Sequence, residues 1–127
     1  MDFNNIAKYI NYFVGLILLI LGLYCYISVE SFTVTYDIEL LTSQAKTEMR
    51  VISGFSLIIG YLILYFTFTI KEQKKIIFST LMICCYFIIA RISGLFIDGF
   101  NQTMTYYELI LECIGFIFIL YVYIKLK

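Results

Sequence analysis

Four long apolar runs, separated by short polar stretches, organise this chain. Ile10 to Val29 and Val51 to Ile70 carry no charge, Ile76 to Ile97 carries only Arg91, and Tyr106 to Ile124 carries Glu108 and Glu112. An α-helix rises about 1.5 Å per residue, so about 20 residues cross the roughly 30 Å hydrocarbon layer of a bilayer. Each run is close to that length and predicts a spanning helix, with boundaries at about 9–29, 43–70, 75–97 and 105–125. What remains is too short for a separate soluble domain. The pattern predicts an all-α fold, a four-transmembrane-helix bundle in one membrane domain, 1–127. The first run follows Lys8 as a signal peptide would, but signal cores span about 7 to 15 residues. The stretch after it, SVESFT, has no small-x-small cleavage pattern, so the run is read as a helix of the bundle.

Between the runs the pattern changes. In SFTVTYDIEL, Phe32, Val34, Tyr36, Ile38 and Leu40 alternate with Thr33, Thr35, Asp37 and Glu39. Period two favours an extended segment with one apolar edge, and a short helix from Asp37 is the competing reading. Thr42 or Ser43 would cap the second spanning helix ahead of the helix formers in QAKTEMR. Thr105-Tyr106-Tyr107-Glu108 has the spacing of a capping box at the start of the fourth, with Glu108 bonding back to the cap.

Composition agrees with membrane residence: 62% of residues are hydrophobic and 14% charged, far from the roughly quarter-charged mixture of soluble domains. The formal net charge is zero, so no basic surface argues for nucleic acid. Cations do set an orientation. Lys8, Lys71, Lys74, Lys75, Lys125 and Lys127 gather at one set of ends, which places both termini in the cytoplasm by the positive-inside rule. Cys25, Cys84, Cys85 and Cys113 lie within the apolar runs without a C-x-x-C pair and read as packing residues. With no histidine in the chain, neither a transition-metal site nor a cofactor is expected.

Small residues mark expected close helix contacts, because in lipid the approach of backbones replaces a hydrophobic drive. Gly22, Gly54, Gly94 and Gly115 are the candidates, with Gly15, Ser53 and Gly60 beside them. The charges inside the runs are the candidate site. Arg91 lies six residues before the end of the third run and Glu112 six residues after the start of the fourth. Both are therefore roughly 9 Å deep. Helical spacing aligns Arg91, Gly94 and Asp98 on one face and Glu108, Glu112 and Gly115 on another, so an Arg91 to Glu112 ion pair is expected. A charge at a helix centre costs about 2.5 to 3.5 kcal/mol on insertion scales, and pairing recovers part of that. Glu48, Arg50, Arg91, Asp98 and Glu112 would converge on the extracytoplasmic half. Two readings stay open: a polar pocket with a function, or a structural network that fixes helix register.

These residues resemble a known pattern. Glu48-Met49-Arg50-Val51-Ile52-Ser53-Gly54 and Arg91-Ile92-Ser93-Gly94-Leu95-Phe96-Ile97-Asp98-Gly99 are similar to the bacterial four-helix membrane family called domain of unknown function 4345. Glu48, Arg50, Gly54, Arg91, Asp98 and Gly99 match its motifs and Glu112 corresponds more loosely, while Phe55 stands where a second glycine is usual. The resemblance implies a fold, distantly DoxX-like, and residence in the bacterial cytoplasmic membrane, without implying a reaction.

The leading expectation is a non-enzymatic membrane protein whose polar pocket binds a small amphipathic ligand or lipid headgroup, or supports a membrane partner. Arg50 and Arg91 would receive an anionic group. The alternative is an intramembrane enzyme in which Glu112 or Asp98 moves a proton and Arg50 or Arg91 stabilises developing negative charge.

Overall fold

The computed structural model describes residues 2–36, 39, 43–98 and 103–126, without the side chains of 97, 98 and 103–105. Five helices follow in chain order, α1 (Phe3–Ile27), α2 (Val29–Thr35), α3 (Ser43–Thr69), α4 (Gln73–Asp98) and α5 (Thr103–Lys125), with no strand among the described residues. Within them, Phe3–Ile27, Ser43–Thr69, Gln73–Phe96 and Tyr106–Lys125 are long and apolar enough to cross a membrane. Large apolar side chains face outward along all four, including Phe13, Phe55, Phe96 and Leu111. Such surface would be a liability in water and is ordinary in lipid, where each helix satisfies its own backbone.

The helix ends show what the apolar pattern leaves out. α1 starts at Phe3, well before the apolar run, because Asp2 caps it. The Asp2 carboxylate accepts the Asn4 backbone N–H at 3.1 Å and the Asn5 side-chain amide at 2.8 Å, and its carbonyl accepts from Ile6 N–H at 3.2 Å. That arrangement supplies partners to N–H groups that a helix start otherwise leaves open. α2 corrects the extended reading of SFTVTYDIEL: Val29 to Thr35 is helical. The β-branched threonines fit because their hydroxyls bond backward, Thr33 to the Glu30 carbonyl at 3.0 Å and Thr35 to the Ser31 carbonyl at 2.8 Å. Helical spacing also stacks Phe32 on Tyr36 at 4.6 Å and brings Tyr24 of α1 within 5.7 Å of Phe32. Most of the remainder of that stretch, and Thr42 as a candidate cap, lie outside the described residues; α3 begins at Ser43.

The chain divides into two compact units, Met1–Asn11 with Ile70–Lys127, and Tyr12–Thr69. In the first, α4 and α5 pack along each other. Ala7, Ile77, Leu81, Ile119, Val122 and Leu126 form its buried core, joined by Phe3, Ile6 and Ile10 of α1. A polar knot lies buried in this unit. Asn11 donates to Gln73 Oε1 at 3.2 Å and accepts from the Thr80 hydroxyl at 2.9 Å, while Gln73 Nε2 donates to the Ile70 carbonyl at 2.7 Å. Asn11 and Thr80 are fully buried, so the bonds tie α1 to the start of α4 where neither side chain can reach water.

In the second unit α1 and α3 meet through glycine. A Cβ on Gly60 would come within 2.8 Å of the Gly15 carbonyl oxygen, and one on Gly22 within 3.0 Å of the Ser53 carbonyl oxygen. Ser56 uses the closeness to donate across to the Leu18 carbonyl at 3.0 Å. Gly54 and Gly115 differ from the expectation: a Cβ at either would meet nothing within 4 Å among the described residues. Gly94 is partly buried on α4.

Candidate functional site

The site is built from two neighbouring helices. α4 carries Arg91 seven residues before its end at Asp98, about 10 Å inside at 1.5 Å per residue. α5 carries Glu108 and Glu112 four residues apart, one turn along the same face. Arg91 reaches both. Its Nε donates to Glu112 Oε1 at 2.8 Å and its Nη1 lies 2.6 Å from Glu108 Oε2. The planar guanidinium suits this bridging, since its N–H groups point in fixed and different directions.

Burial gives these contacts their weight. The side chains of Arg91, Glu108 and Glu112 keep 29%, 27% and 23% of their surface, so they are mostly covered without being sealed. Glu112 Oε2 itself is buried and has no hydrogen-bond partner among the described residues. Two carboxylates thus share one guanidinium, and the formal balance of the trio is negative. Cys84, two turns before Arg91 on α4, lies within electrostatic reach of Glu112.

Of the remaining residues singled out in the sequence, Glu48 and Arg50 belong to the second unit. Glu48 and Arg50 are exposed near the start of α3. Their neighbourhood in the second unit centres on Glu30, which accepts from Lys46 Nζ at 2.5 Å. The Lys46 hydrogen bond, then the Lys46 charge, then the charge of Arg50 hold the Glu30 carboxyl below its usual range. Asp98 ends α4, and its side chain lies outside the described residues.

Glu108 is the residue that sequence reasoning misplaced. The capping box would have turned it back to Thr105, but α5 begins at Thr103, so Thr105 is inside the helix and is not its cap. Its carboxylate turns to Arg91 instead. The signal was present, because Glu108 stands four residues before Glu112 on the face already assigned to Arg91. The Asn11, Gln73 and Thr80 knot was missed for a different reason. A single uncharged polar residue at the edge of an apolar run carries no charge to mark it, and only the fold brings together partners 62 and 69 residues apart.

Four apolar spanning helices, with a guanidinium shared between carboxylates of adjacent helices, define a multi-pass α-helical membrane protein. The chain belongs to the family described as Domain of unknown function (DUF4345), whose model matches residues 6–123 and so takes in nearly all of the four long helices. No curated protein and no solved structure matches it.

Proposed function

We propose that this protein is a bacterial cytoplasmic-membrane protein, one domain with both termini in the cytoplasm, whose Arg91, Glu108 and Glu112 form a headgroup site for a small amphipathic ligand in the extracytoplasmic half. One observation carries the reading. Arg91 is shared by two carboxylates while Glu112 Oε2 is buried without a hydrogen-bond partner among the described residues. A tie between two helices needs only one carboxylate per guanidinium, and each further charge in an apolar layer adds to the insertion cost. The second carboxylate therefore calls for a purpose.

The same balance fixes the complementary chemistry. The sequence alone suggested that Arg91 would receive an anion. With two carboxylates already on it, the guanidinium is compensated, and the spare capacity lies on the acceptor side. The matching headgroup is cationic or a hydrogen-bond donor, such as a primary ammonium, with its apolar portion running along the lipid-facing helices. About a quarter of each side chain's surface remains exposed, which supports access at the rim of the trio.

The test is to purify the full chain in mild detergent and identify copurifying amphiphiles by mass spectrometry. An ammonium-bearing species at near one per chain is expected, with occupancy about tenfold lower in Glu112→Gln when circular dichroism shows intact helices. If the same amphiphile persists at full occupancy in Glu112→Gln and Glu108→Gln, or none copurifies, the trio is a structural tie and the proposal fails.

A further inference from the structure

At the other end of α4 and α5 the first unit presents a second arrangement, unlike the trio in both charge and exposure. A cleft of about 380 Å³ is lined by Glu72, Lys74, Lys75, Phe78 and Tyr123. We infer that this cleft seats the phosphate headgroup of an anionic phospholipid, with Lys74 and Lys75 on the phosphate and an acyl chain passing along Phe78.

The two lysines are prepared differently. Lys74 is pinned: its Nζ donates to the Leu126 carbonyl at 2.8 Å and sits 5.8 Å from the centre of the Tyr123 ring. The carbonyl belongs to the end of α5, where helices leave acceptors open and favour cations, so the ammonium is held at a fixed position. An ammonium has three N–H groups, and this one has more than the Leu126 bond to give. Lys75 is held loosely. It lies 3.3 Å from Glu72, with 79% and 73% of the two side chains exposed. An exposed pair of that kind contributes little, and a phosphate can take the lysine without a large loss. Two lysines and one carboxylate line the cleft, and Lys71 precedes them in the chain.

A lipid explains the arrangement better than a free phosphate does. Phe78 and Tyr123 pack ring to ring at 5.8 Å directly beside the lysines, and Phe78 remains 47% exposed. Aromatic rings beside ammonium groups at the ends of apolar helices are the composition of the headgroup level of a bilayer. A soluble anion gains nothing from Phe78, whereas an acyl chain does. Tyr123 packs against the buried core that contains Ile77, Leu81, Ile119 and Val122, so one wall of the cleft is fixed.

The experiment is native mass spectrometry of the full chain in detergent with added dioleoyl phosphatidylglycerol or dioleoyl phosphatidylcholine. Wild type is expected to retain phosphatidylglycerol over phosphatidylcholine by about tenfold. Lys75→Gln, whose exposed side chain has little bearing on folding, should reduce that preference about fivefold, in line with about 1 kcal/mol per lysine near an anionic surface. Glu72→Gln should raise it by removing the competing carboxylate, and Lys46→Gln, in the other unit, should leave it unchanged. Equal retention of both lipids, no effect of Lys75→Gln, or displacement of the lipid by inorganic phosphate at about 10 mM, roughly tenfold above a millimolar dissociation constant, would overturn the inference. None of these outcomes bears on the headgroup site at Arg91.

Discussion

At the residue scale, the side chains that decide this structure are the polar ones that an apolar environment makes expensive to leave unpaired. Arg91 was legible from sequence because a charge inside an apolar run stands out. Its pairing with Glu112 was legible too, because depth and facing follow from helix rise and periodicity. Asn11 was not, being neutral and placed at the edge of a run. Yet it joins α1 to both Gln73 and Thr80. Replacing it with leucine removes both bonds and leaves buried polar atoms that no longer match, at about 1 to 3 kcal/mol for each group affected. We expect Asn11→Leu to lower the thermal unfolding midpoint in detergent by several degrees, and Asn11→Gln to recover little because the longer side chain does not fit a fully buried position. An unchanged midpoint in Asn11→Leu would mean the knot does not hold the helices.

At the element scale, the pattern of apolar residues located the long helices and small residues located their contacts, but only some of the glycines take part. Gly15, Gly22 and Gly60 sit where α1 and α3 backbones meet, with Cβ positions that would approach neighbouring backbone to between 2.8 and 3.2 Å. A Cβ at Gly54 or Gly115 meets nothing within 4 Å among the described residues. Spacing alone does not separate these cases, since each glycine is one residue on a helix whose rotation the sequence leaves undetermined. The consequence is a contrast. Gly60→Val should destabilise by about 1 to 3 kcal/mol through overpacking, because the obstructing atoms are backbone and do not rotate away. Gly54→Ala should be neutral or favourable by up to about 1 kcal/mol, since alanine is the better helix former and meets no obstacle. Chemical unfolding of both variants in the same detergent checks the pair; equal losses would contradict this assignment of the α1 and α3 contact. The α2 segment teaches a related lesson. Its period-two pattern was real, but threonine back-bonding and the Phe32 to Tyr36 stack favour a helix.

At the scale of the whole molecule, four spans give an even number of crossings, and an even number returns the chain to the side on which it started. On the proposed topology, the lysines at the start of α4 and the end of α5 put that side in the cytoplasm by the positive-inside rule. Reporter fusions at the two ends should therefore give the same result, with a cytoplasm-active reporter functional at both and a periplasm-active one at neither. Opposite results at the two ends would remove one crossing from the fold. The sequence by itself determined the number of long apolar helices, the family and the presence of charge within apolar runs, because hydrophobic length and depth are properties of one helix at a time. Only the tertiary structure decided that Glu108 joins Glu112 on Arg91, that Asn11 is bonded across 62 and 69 residues, and which glycines touch. Those depend on how each helix is rotated against its neighbour, and rotation is set by the sum of many packing contacts that no single stretch of sequence contains.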